Sequence, residues 1–152
     1  MFQLFVAGDP RPQGSKKAFA RGKHIVLVEA NKDLPAWRET MKRMFEMKML
    51  ELDNPFPTAI AVSIHFWLTR PKSVTRQYAT GTYDIDKLTR AVLDSLQSAN
   101  VIVNDNLVVD LNVRKSYADD HESGVLVTVV PFDNDSITQG VTPIDRKRKG
   151  LV

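Results

Sequence analysis

The sequence predicts a single α+β domain, a mixed sheet packed against two main helices. Three observations predict it. Ile60, Val62, Ile64, Phe66 and Leu68 alternate with smaller or polar residues at the period of a half-buried strand. Leu88, Val92, Leu96 and Ala99 recur at the helical repeat, with charged residues between them. The 152 residues are 43% hydrophobic and carry no internal repeat or linker, enough for one core and no obvious second one.

The elements follow in order. Phe2, Leu4 and Val6 alternate as a first strand, followed by a basic loop carrying Arg11, Lys16, Lys17, Arg21 and Lys23, and a short strand over His24 to Val28. Pro35 opens the first helix, whose apolar stripe is Trp37, Met41, Met44, Phe45 and Leu52. Methionines on such a stripe read as adaptable core or as a dimer surface. Asn54-Pro55-Phe56-Pro57 ends this helix and the long strand over 60–68 follows. A polar loop over 70–82 leads to the second helix, expected to begin near Lys87 with Asp86 as its N-cap and to stop at Asn100.

Val101-Ile102-Val103 is expected as a short strand before the polar corner Asn104-Asp105-Asn106. A strand from Leu107 to Lys115 then sets Val109, Leu111 and Val113 on one side and Asp110, Asn112 and Arg114 on the other. Val125, Val127 and Val129 mark the last strand. The reading therefore divides the chain into a folded domain over 1–131 and a flexible basic tail over 132–152, ending in Arg146-Lys147-Arg148-Lys149.

The chemistry concentrates in Tyr83-Asp84-Ile85-Asp86-Lys87-Leu88-Thr89-Arg90 and the later Asn104-Asp105-Asn106. Residues i and i+2 of an extended segment project to one side, so Asp84 and Asp86 present their oxygens together. Arg90 lies one helical turn beyond Asp86. The polar corner is expected to return Asp105 to the same place. Like charges about 4 Å apart repel by ~1 kcal/mol in water and ~4 kcal/mol at an effective dielectric of about 20, and a divalent cation reverses that sign. Oxygen-only ligands favour Mg²⁺ or Mn²⁺ over zinc, and a basic neighbour suits a phosphate-bearing substrate. Metal-assisted phosphodiester hydrolysis is the reading, set against a helix cap and a turn that happen to be acidic.

Composition narrows the classes. Zero cysteines exclude disulfides and thiolate metal sites. The scattered His24, His65 and His121 form no nucleophile–base pattern, which disfavours covalent catalysis. There is no apolar run of about eighteen residues and no signal-peptide pattern at Met1 to Val6, so a soluble cytoplasmic protein with no membrane partner is expected. The net charge of +3 is modest, but Lys16 and Lys17 in the first loop and Arg70, Lys72 and Arg76 before the acidic segment are placed to follow a phosphate backbone.

These residues resemble the signature of the RusA-type Holliday junction resolvases of phages and prophages: Asp84-x-Asp86, a basic residue at Arg90, Asp94-x-Leu96, and a hydrophobic segment ending at Asp105. The opening Val6-x-Gly8-x-Pro10-x-Pro12-Gln13-Gly14-Ser15-Lys16-Lys17 is also similar to the family's, as are the strands over 108–117 and 124–130. The resemblance implies a Mg²⁺-dependent homodimeric endonuclease that resolves four-way DNA junctions by paired symmetric nicks. It further implies Asp84, Asp86 and Asp105 as metal ligands. Three departures stand out: Arg90 occupies a position that is typically lysine and is needed for cleavage, Lys87 one that is often asparagine, and Asn104-Asp105 stands where an acidic pair is common. Arg90 is read as a catalytic group steadying the phosphate, and Lys16, Lys17, Arg70, Lys72 and Lys87 as DNA contacts. Two rival readings are a basic DNA-binding module without chemistry and a metal-dependent phosphohydrolase of small molecules.

Overall fold

A computed structural model describes residues 1–14, 16–22, 24–29, 32–81 and 83–133, with the backbone alone for the strands within 16–29. The order is β1 (Phe2–Ala7), β2 (Lys16–Arg21), β3 (His24–Glu29), α1 (Leu34–Met49), β4 (Ile60–Leu68), α2 (Ile85–Ser98), a 3-10 turn (Asp105–Leu107), β5 (Val108–Tyr117) and β6 (Gly124–Pro131). The main sheet runs β1-β6-β4-β5 and a separate hairpin pairs β2 with β3. The sheet is mixed, as expected: β6 is antiparallel to β1 and β4, whereas β4 and β5 are parallel. A parallel pair needs a crossover, and α2 supplies it.

The alternation of β4 puts Ile60, Val62, Ile64, Phe66 and Leu68 into the core. Phe2 and Val6 of β1 and Val125, Val127 and Val129 of β6 join them, under Leu34, Trp37, Met41 and Phe45 of α1 and Leu88, Ala91, Val92 and Leu96 of α2. Both methionines of the stripe face the core: Met41 is wholly buried and Met44 is partly buried against it, while Met47, off the stripe, stands 63% exposed. Gly124 lets β6 approach β1, because a Cβ there would lie 2.3 Å from the Val6 carbonyl oxygen, at a φ of +156°.

Several local expectations change. The basic segment over 16–21 is not a loop but strand β2, turned into β3 at Gly22, whose φ of +62° suits a two-residue hairpin. Leu52 lies beyond α1, yet still packs on the core. Residues 101–103 do not form a strand. Ile102 makes a single bridge to Phe56, and the backbone bonds Phe56 N to Val101 O and Val103 N to Phe56 O hold it. The polar corner is a 3-10 turn capped by Asn104, whose side-chain oxygen accepts from the Asn106 N–H at 2.9 Å.

Helix α2 starts two residues earlier than expected. Asp84 is extended at φ −67°, ψ 133°, and its carbonyl accepts the Leu88 N–H at 3.1 Å, so Asp84 holds the N-cap position and Asp86 lies in the first turn. Asn100 ends the helix region in the left-handed conformation, φ +56°. Of the expected tail over 132–152, Phe132 still donates its N–H to the Ala59 carbonyl at 2.9 Å, and the part beyond residue 133 lies outside the described residues.

Candidate active site

The site is organised along one face of α2. Its start is held from three directions. The opening segment docks through the Gln13 N–H, which donates to the Lys87 carbonyl at 2.9 Å. Arg11 reaches the Tyr83 hydroxyl at 2.6 Å and lies within 3.9 Å of Asp9 and 3.7 Å of Asp33. From β5, the Lys115 ammonium donates to the Tyr83 carbonyl at 2.7 Å. Tyr83 needs this support, because its φ of +37° is a left-handed conformation that costs a non-glycine residue on the order of 1–2 kcal/mol. The strained residue stands immediately before Asp84.

That anchoring sets the carboxylates. Asp84 makes no side-chain cap bond, and its carboxylate instead faces the Lys87 ammonium at 4.0 Å. Asp86, in the first turn, sits where the helix dipole favours negative charge. All three groups are exposed. Asp105 is held by a different contact: its backbone N–H donates to Gln97 Oε1 at 3.1 Å, near the other end of the same helix.

An open groove of about 600 Å³ runs between α2 and β5, lined by Ile85, Asp86, Thr89, Arg90, Leu93, Asp105, Leu111 and Val113. Asp86, Arg90 and Asp105 therefore share one groove, as the sequence reading requires, with Asp84 beside it. They do not converge on one point. Asp86 and Gln97 are eleven residues apart, about 16 Å of helix, so Asp86 marks one end of the groove and Asp105 the other. Among the described residues no three histidines or acidic side chains lie together closely enough to hold a metal ion. The sequence expectation that the polar corner returns Asp105 to Asp84 and Asp86 within one chain is thus not met. A crossover helix carries the chain from the carboxyl end of β4 to the amino end of β5, and in a parallel pair those lie at opposite ends of the strands. The donor chemistry at the helix start still fits a hard cation, since Mg²⁺ takes one or two carboxylates and fills its remaining positions with water and substrate phosphate.

The proposed DNA contacts divide. Lys72 and Lys87 are both exposed, Lys87 in the first turn of α2. Arg70 is engaged within the chain: its fork donates to both Asp119 oxygens at 2.8 Å and to the Arg76 carbonyl, and it stacks over Tyr117 at 4.2 Å. The bond from Arg70 holds the Asp119 carboxyl below the usual carboxylate range. Lys16 and Lys17 stand in β2, and their side chains lie outside the described residues. Sequence reasoning gave no role to Lys115 or Gln97, and it quoted Tyr83 and Gln13 only as neighbours of the motifs, without the contacts they make. A signal existed only for Gln97, three turns after Asp86 on a polar helix face.

Compared with known proteins, residues 7–130 match the family model described as endodeoxyribonuclease RusA. No curated protein matches the chain. The match spans the opening segment, the hairpin, both helices and the whole of β5, and the chain belongs to this family of endodeoxyribonucleases.

Proposed function

We propose that this RusA-family chain is a Mg²⁺-dependent nuclease that resolves four-way DNA junctions by paired symmetric nicks. Asp84 and Asp86 would hold the ion, with Mn²⁺ as a substitute, and Asp105 would complete the site. The ion, when bound, supplies polarisation of the scissile phosphate and an acidified water.

The chain's own residues supply the rest. Arg90, one turn after Asp86 in the same groove, would steady the charge developing on the phosphate. Its planar fork reaches two phosphate oxygens at once, which a lysine ammonium does not. Lys87 and Lys72, with Lys16 and Lys17 of β2, would grip the backbone outside the cut, giving affinity that falls with salt. Arg70 is left out of this set, because a phosphate would have to displace Asp119.

One observation carries the arrangement: the groove has Asp86 at one end and Asp105 at the other. A twofold axis through its middle exchanges the two ends. A homodimer therefore sets Asp84 and Asp86 of one protomer beside Asp105 of the partner subunit, twice over, providing one site for each opposed strand of a junction. Belonging to an endodeoxyribonuclease family supports the chemistry. The absence of a side-chain cap bond from Asp84 counts against a purely capping role.

The test uses the full chain with a labelled four-way junction and a matched linear duplex, with Mg²⁺ or chelator. Symmetric nicks confined to the junction and to Mg²⁺ are expected, and Asp86→Asn should bind without cutting. Metal-independent binding with no nicks would leave a DNA-binding module, and equal cutting of both substrates would remove junction selectivity. Mixing Asp86→Asn with Asp105→Asn subunits tests the shared site. Each mixed dimer retains one intact site and should nick one strand; no recovery on mixing would place all three carboxylates in one protomer.

A further inference from the structure

We infer that two copies of this chain join through the outer edges of β5, antiparallel, in the register that places Asn112 opposite Asn112. This deepens the reading of a homodimeric nuclease and rests on it, but it concerns a surface that the family match does not specify.

Strand β5 is ten residues long and stands last in the sheet, and among the described residues no strand pairs with its outer edge. Long exposed edges with apolar side chains invite pairing, and soluble proteins usually blunt or cover them. This edge is not blunted by proline or glycine. It carries Val109 at 55% and Leu111 at 44% exposure, and Ile85 of α2, which lines the same groove as Leu111, is 39% exposed. The sole irregularity, a shift between the partners of Ile60 and Ala61, falls before Asp110, which leaves a regular ladder from Asp110 to Tyr117.

Charge selects the register. A twofold axis normal to the sheet keeps each face on its own side, so directly opposed residues must both be even-numbered or both odd-numbered. Centring on Asp110 or on Arg114 would set like charges against each other. Centring on Asn112 sets Asp110 of each copy against Arg114 of the other on one face, and Leu111 against Val113 on the groove face. Both charged residues are exposed in the single chain. The groove would then continue across the axis, with Leu111 and Val113 covered by their counterparts. The same register sets residue 107 of one copy level with Tyr117 of the other, at the end of β5 where Lys115 holds Tyr83 beside Asp84.

The test reads oligomeric state by sedimentation, apart from cleavage. The full chain should sediment as a dimer. Asp110→Arg and Arg114→Asp should each weaken the dimer by roughly tenfold or more, and the double exchange should restore it, a recovery that mere damage to the fold does not give. Since the chain has no cysteine, Asn112→Cys should form a disulfide-linked dimer on mild oxidation, whereas Arg114→Cys should not. A monomeric full chain, an undiminished dimer in both single variants, or no recovery in the double variant would overturn the inference. A dimer with the expected charge behaviour but no nicking of junctions would instead sink the nuclease reading and leave this interface standing.

Discussion

Gln97 Oε1 accepts the backbone N–H of Asp105 at 3.1 Å, tying a residue of the 3-10 turn to the helix that carries Asp86. The bond fixes how far the turn stands from the helix start and aims the Asp105 backbone without using its carboxylate. Groups that orient a ligand in this way typically matter 10–100-fold in metal affinity or activity.

Gln97→Ala should accordingly lower Mg²⁺-supported junction cleavage by roughly tenfold, and Gln97→Glu, which keeps an acceptor oxygen, should lose much less. Titrating Mg²⁺ in the cleavage assay checks this. The loss should appear as a higher metal requirement with junction binding unchanged. Equal losses in both variants would mean that the bond does not orient Asp105.

Lys115 spans from β5 to the carbonyl of the strained Tyr83. Hydrogen bonds from a charged donor contribute about 1.5–3 kcal/mol, and this one also holds the backbone from which Asp84 projects. Lys115→Met should lower the free energy of unfolding, measured by urea denaturation, by an amount within that range and reduce cleavage more than DNA binding. Unchanged stability would show that Tyr83 keeps its conformation unaided.

On the sheet face away from the helices, His65 stacks on Trp67 at 3.7 Å and bonds the Ser116 hydroxyl at 3.0 Å. Partial burial, and then the positive Arg114 and His121, push its pKa below the ordinary 6.5. The unfolded chain therefore binds the proton more readily than the folded one. Stability is at its full value above pH 6.5 and falls as pH drops through the lower folded pKa. His65→Phe, which keeps the stack, should flatten this part of a urea-midpoint profile, and an identical slope in variant and parent would contradict the assignment.

Gly124→Ala should be among the costliest single changes away from the groove. Its Cβ would meet the Val6 carbonyl at 2.3 Å and the Phe5 ring at 2.7 Å, where β1 pairs with β6. Overpacking against backbone cannot relax by a rotamer change, so a loss of more than about 2 kcal/mol is expected in equilibrium unfolding. A near-neutral result would mean that β1 shifts freely along β6.

The local sequence determined a good deal. The alternation from Ile60 to Leu68 specified a core strand, and Leu88, Val92 and Leu96 the buried stripe of α2, because side-chain period follows from backbone geometry alone. Asp84, Asp86, Arg90 and Asp105 stood out as chemistry for the same reason: residue type and short spacing are local properties. The sequence also ranked β5 correctly as a strand, but alternation cannot tell a buried face from one left open at the end of a sheet, and Leu111 is exposed. Strand order is a long-range outcome, decided when β6 pairs between β1 and β4 and leaves β5 outermost. The separation of Asp86 from Asp105 was decided in the same way. Nothing in the nineteen-residue spacing says that most of it is a rigid rod, about 1.5 Å per residue, carrying the chain to the far end of the groove.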